Sequence, residues 1–231
     1  MILLRRFTAL VVASVALAAC GGAGAPAAPP PSPSASSSAS SATATSPSTA
    51  PGALTFTVAP GSKAVVRVTE QLADLPSPTD AVLTSDKVSG AFTLLPDGTF
   101  TPDSKITVDL NALASDRSQR DGFVKRNVLQ TSTYPTATFV PTKATGLALP
   151  LPASGDLRST IAGRLTVHGV TKDATFDVTG TRTASGLQVT ANAAPTLTFE
   201  TFGMSQPRVA VVLSVKDDIR LEVDLTATSG T

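Results

Sequence analysis

The sequence predicts an all-β domain, an antiparallel barrel of about eight strands with one short helix, and three observations carry that expectation. Apolar and polar residues alternate with a period of two through much of residues 54–231. Thr and Val are abundant there, and β-branched side chains suit a pleated surface. Turn-forming residues punctuate the alternating runs at short intervals.

The clearest run is Ile219, Leu221, Val223 and Leu225 on one face, against Arg220, Glu222 and Asp224 on the other. Ile106, Val108 and Leu110 alternate with Lys105, Thr107 and Asp109. Ala174, Phe176 and Val178 alternate with Thr175, Asp177 and Thr179. Leu187, Val189 and Ala191 form a further face, as do Leu165 and Val167. Pro96-Asp97-Gly98 joins Val88–Leu95 to Thr99–Thr101, and Ser185-Gly186 and Lys216-Asp217-Asp218 have the composition of hairpin turns. His168-Gly169 begins the link between two strong strands.

One stretch leaves the pattern. Across Asp121–Leu129, helical spacing puts Phe123 and Val124 on one face with Asn127 and Val128. Asp121 is expected to cap this helix, and Tyr134-Pro135 forces an extended exit. Strands with one apolar face suit a closed barrel, and a two-sheet sandwich would show the same periodicity. A barrel of about eight strands can enclose one small ligand.

Two segments precede the domain. Residues 1–20 read as a signal peptide: Arg5 and Arg6, an uncharged apolar run from Phe7 to Ala19, then Leu17-Ala18-Ala19-Cys20. The run is shorter than the ~20 residues a membrane-spanning helix needs. Leu-Ala-Ala-Cys resembles a lipobox, which implies lipid attachment at Cys20; the other reading is an ordinary secretory signal with an incidental cysteine. Cys20 is the single cysteine, so no intrachain disulfide can form. Residues 21–53 contain only Ala, Ser, Pro, Gly and Thr, too little apolar surface to offset ordering entropy. They read as a disordered stalk, roughly 30 Å as a coil and about 100 Å if extended. The chain is thus expected to be extracytoplasmic and lipid-anchored to a cell membrane.

The chain carries 18 basic and 17 acidic residues and lacks a basic run, which argues against nucleic acid as a partner. A single histidine and a single cysteine cannot build a zinc site. No nucleophile elbow, P-loop or dinucleotide fingerprint is present. No catalytic residue, metal or cofactor is expected.

Three segments resemble the YceI-like family, a lipocalin-like group linked to polyisoprenoid binding. They are Val108-Asp109-Leu110 followed by Gln119-Arg120-Asp121; Tyr134-Pro135-Thr136-Ala137-Thr138-Phe139; and Gly163–Lys172 leading into Ala174–Val178. The resemblance covers roughly residues 56–228. It implies an extended antiparallel barrel around an elongated apolar pocket for long isoprenoid chains. Two places depart from the family. Ala59-Pro60-Gly61-Ser62-Lys63 keeps only Ser62 of an Asp…His-Ser segment, and Phe199–Met204 keeps Phe-Gly without the preceding basic residue and Asp.

The expected apolar pocket residues are Phe92, Val108, Leu110, Phe123, Phe139, Val167, Phe176, Val189, Phe199 and Phe202. Each would serve equally as plain core. Arg120, Asp121 and His168 are expected as structural or pocket-rim polar groups, Arg120 and Asp121 as an ion pair fixing the helix. The leading function is a carrier or sequestering protein for a long apolar lipid. A structural or interaction lipoprotein with a filled barrel is the alternative, and an enzyme the weakest reading.

Overall fold

The computed structural model describes residues 51–230. The signal segment, Cys20 and all but the last residues of the stalk lie outside that range.

Ten strand segments make one antiparallel sheet: β1 (Leu54–Val58), β2 (Lys63–Leu72), β3 (Thr79–Ser85), β4 (Val88–Leu94), β5 (Lys105–Asp109), β6 (Thr136–Thr145), β7 (Gly155–Val167), β8 (Val170–Thr183), β9 (Gly186–Ala193) and β10 (Val212–Ser229). A helix, α1 (Ser118–Phe123), lies between β5 and β6. The ring closes as β1-β4-β5-β6-β7-β8-β9-β10, with β1 paired back onto β10. β2 and β3 extend the same two edges, because β2 also pairs with β10 and then with β3. β1–β2 and β3–β4 therefore each act as one broken strand, and the barrel is eight-stranded.

A buried serine mends each break. At the first, Gly61 adopts φ +94° and Ser62 is 2% exposed. The Ser62 hydroxyl accepts from the Thr226 N–H at 3.0 Å and donates to the Ala59 carbonyl at 2.9 Å. At the second, the wholly buried Ser85 donates to the Asp109 carbonyl at 2.8 Å. Unpaired buried backbone groups would otherwise cost about 1–3 kcal/mol each.

The alternating runs fall as expected, with Ile219, Leu221, Val223 and Leu225 turned inward. His168 and Gly169 form a two-residue hairpin between β7 and β8, both at positive φ, +52° and +74°. That twist matches right-handed strands. Lys216-Asp217-Asp218 is not a turn. β10 runs through it, and the pairing with β2 shifts register between Val215 and Ile219. The polar triplet is accommodated as a bulge, with Asp217 accepting the Phe199 N–H at 2.7 Å.

The helix also differs from expectation. It begins at Ser118, three residues before Asp121, and widens into a π turn over Val124–Val128. The wider turn sends Val128 into the core and leaves Asn127 exposed. Asp121 does not cap the helix. Its carboxylate accepts the Ser115 N–H and hydroxyl, at 2.9 and 2.6 Å, and so ties down the entering loop.

Pro47–Thr231 form one compact unit, and among the described residues the ten paired strands and the four hydrophobic clusters all belong to it.

Candidate functional site

The barrel interior is not filled. It encloses a cavity of about 950 Å³, near the upper end of the range for small-molecule sites. Many inward residues, among them Ile161, Val189, Leu221 and Val223, are only partly buried although they point inward, because they face this space.

All ten expected apolar residues line the cavity: Phe92, Val108, Leu110, Phe123, Phe139, Val167, Phe176, Val189, Phe199 and Phe202. Strand alternation delivers those on β4 to β9. Phe123 comes from the end of α1, and Phe199 precedes and Phe202 ends a single 3-10 turn before β10. Phe139 owes its position to Gly163 on the neighbouring strand. A Cβ there would sit 2.5 Å from the Phe139 ring, so only glycine lets the ring lie across β7. From there it meets Phe176 edge-on, with centroids 4.8 Å apart. Phe56 stacks on Phe92 at 5.4 Å.

The two ends of the barrel differ. At one end the β6–β7 connection folds over, bringing Leu151 against Phe56 and Leu187. Arg182, 9% exposed, donates to the carbonyls of Leu151 and Pro152 at 2.9 and 2.7 Å, and its guanidinium lies 5.7 Å from the centre of the Phe56 ring. The exposed lining residues are all at the other end: Asp116, Arg117, Ser118, Gln119, Arg126 and Val211. The mouth therefore lies between α1 and the chain leading into β10.

One buried charge pair organises this mouth. Glu70, inward on β2, meets Arg120 of α1 at 2.5 Å, with side chains 7% and 13% exposed. Arg120 also reaches the exposed Asp116 at 2.5 Å. Burial is the largest single influence on the Arg120 guanidinium and pulls its pKa down. The hydrogen bonds from Glu70 and Asp116, with their charges, outweigh it and the net direction is up. The hydrogen bond from Arg120 holds the Asp116 carboxyl below the usual carboxylate range.

The expected Arg120–Asp121 ion pair is not formed. Consecutive helical residues diverge by about 100°, so Arg120 reaches β2 while Asp121 turns back to Ser115. Sequence reasoning missed Glu70. The available signal was an acidic residue at an inward position of the run Val66, Val68, Glu70, Leu72. It also missed the segment Pro207–Val215, several of whose apolar residues line the cavity.

His168 lies outside the cavity lining. Its Nδ1–H donates to the Phe202 carbonyl at 3.3 Å, and its ring packs edge-on against Tyr134, with centroids 4.7 Å apart. It thereby braces the turn carrying Phe202. Among the described residues no cluster of three or more His, Cys, Asp or Glu could hold a metal ion. No helix among them is long and apolar enough to cross a membrane.

Known proteins share this architecture. The barrel superposes on a polyisoprenoid binding domain from Saccharophagus degradans implicated in plant cell wall breakdown, with a TM-score of 0.58 at 15% identity over 77% of this chain and 99% of that one. It also superposes on BcnA of Burkholderia cenocepacia, with a TM-score of 0.51 at 17% identity over 74% of this chain and 96% of that one. At these identities the likeness is one of fold. In sequence, UPF0312 proteins of Pseudomonas putida are 35% identical over 124 residues, 48% of this chain and 61% of theirs. The match thus spans less than two thirds of those relatives. The family model for the YceI-like domain matches residues 52–227, and the chain belongs to that family.

Proposed function

We propose that this protein binds a long apolar lipid of the isoprenoid type and acts as a carrier or sequestering protein. It does so outside the cytoplasm, tethered to a membrane through an acylated Cys20. The observation that carries the reading is the unfilled, apolar interior of about 950 Å³, open at one end. Burying about ten methylene-sized groups yields ~8 kcal/mol at ~0.8 each, the scale of the ~4–15 kcal/mol that association costs. No catalytic group is needed for that. The polyisoprenoid binding domain of Saccharophagus degradans, with the same fold, supports the ligand class.

The test is native mass spectrometry of protein purified from its host, followed by titration of the delipidated protein with farnesol. A bound mass in the isoprenoid range is expected, together with saturable uptake of farnesol. Ala191→Trp, which places a large ring in the cavity from β9, should weaken farnesol binding about tenfold or more, ~1.4 kcal/mol, without lowering Tm. Bare protein that takes up no apolar probe would instead favour a structural or interaction module.

A further inference from the structure

The chain entering β10 carries the most exposed large apolar residues among the described ones. Val211 and Leu213 are 67% and 68% exposed. Single exposed apolar residues are common, but Val211 lines the cavity mouth, and Leu213 lies two positions along the same segment. Val211 is at once exposed and part of the lining, and Pro207, Val209 and Val212 line the same wall. The segment is anchored from behind. Val212 pairs with Leu72 on β2, and the Ala73 N–H donates to the Val211 carbonyl at 3.0 Å. Its side chains are therefore presented on a fixed support.

The charges around this tip are mixed, and several of the cations have no partner. Arg208 and Lys216 bracket it in sequence and are exposed, and Arg117, just before α1, and Arg126, in the π turn after it, line the mouth. Arg126, Arg208 and Lys216 make no ion pair within 4.0 Å among the described residues. Of the nearby carboxylates, Asp116 is held by Arg120 and Asp217 takes the Phe199 N–H, which leaves Asp74, beside Ala73, and Asp218 as the acidic neighbours without an ion pair within 4.0 Å among the described residues. Apolar side chains at a tip, flanked by unpaired cations, match an anionic lipid surface: the former enter the acyl boundary while the latter meet the head groups.

We propose that the Val209–Leu213 tip inserts into the surface of an anionic phospholipid bilayer, so that an apolar ligand passes between bilayer and cavity along Val211 without crossing water. The purpose of the contact rests on the apolar-ligand reading above. The contact itself is measured without any ligand, so the two can fail separately.

The test uses residues 51–231, without Cys20, in flotation with phosphatidylcholine vesicles with and without phosphatidylglycerol. The protein should float with the anionic vesicles, and added salt should weaken the association. Val211→Asp/Leu213→Asp should reduce vesicle affinity about tenfold or more. Arg208→Gln should reduce it about fivefold, from ~1 kcal/mol per basic residue near such a surface. Leu149→Asp alters an apolar residue that is 39% exposed outside the cavity lining, and should have no effect. If the double variant fails to fold, Arg208→Gln decides alone. Absence of vesicle binding by the unaltered protein, or equal binding by the double variant, would overturn the proposal. A dimer in solution that the double variant dissolves, with no vesicle binding, would overturn it in favour of a second copy of this chain.

Discussion

The closed and open ends of the barrel solve one physical problem in opposite ways. Each holds a guanidinium that is largely shielded from water. At the closed end Nη1 of Arg182 is met by two backbone carbonyls and the guanidinium by an aromatic face, so the charge is held by neutral groups and the loop is pulled down. At the open end Arg120 is met by two carboxylates on separate elements, so β2 and the loop before α1 are joined without covering the mouth. A dipole-satisfied cation seals, because backbone must come to it. A charge-paired cation braces, because side chains can reach across a gap and leave space beneath.

The comparison breaks most visibly at Glu70. Arg120→Ala leaves that carboxylate, 7% exposed, without its counter-ion. Breaking a buried pair from one side costs about 3–5 kcal/mol. For a domain of this size that is a Tm loss of roughly 10 °C, read by circular dichroism. Glu70→Leu/Arg120→Leu should recover most of the loss, since both charges go together. An unchanged melt for Arg120→Ala would show that the pair does not brace the mouth.

A smaller effect is expected at the sealed end. Arg182→Leu removes two hydrogen bonds to the Leu151 and Pro152 carbonyls, worth about 1–3 kcal/mol. The more telling readout is local. Thermolysin should cut faster at Leu147, Leu149 or Leu151, while cleavage near α1 stays unchanged. Uniformly faster cleavage would mean that Arg182 supports the whole barrel rather than its seal.

These ends were unequally legible in the sequence. Strand alternation reports which face a residue takes, so Phe92, Val108, Phe139, Val167, Phe176 and Val189 could be read directly, and all of them line the cavity. Alternation cannot report how far apart opposing faces stand, so an empty interior looked the same as a packed one. The Arg120 partner was misplaced because adjacency in sequence suggested Asp121, whereas the helix turns the two apart and brings Glu70 from 50 residues away. Lys216-Asp217-Asp218 looked like a turn because three polar residues interrupt an apolar run. The strand instead absorbs them as a bulge, since Asp217 finds a backbone donor at Phe199.

The smallest expected effect separates the inner charge pair from its outer neighbour. One position along β2 from Glu70, Thr69 faces Asp80 across the strand pair, and Asp80 meets Arg220 at 2.6 Å on the outside of the barrel. Both side chains there are more than a third exposed, so the pair is worth about 0–1 kcal/mol. The Arg220 hydrogen bond holds the Asp80 carboxyl below its ordinary range, as Arg120 does for Asp116. A carboxyl depressed in the folded state stabilises it fully above the unfolded pKa of ~3.9. That contribution is lost as pH falls through the folded value. Asp80→Asn should therefore lower Tm by a few degrees at most at pH 7, and the difference should shrink as pH falls through the depressed folded value. High salt should erase it at pH 7, because exposed pairs are screened. Salt should leave the Arg120→Ala deficit largely intact, because that pair is shielded from solvent. Equal salt sensitivity of the two variants would remove the distinction between a brace at the mouth and an ordinary surface pair.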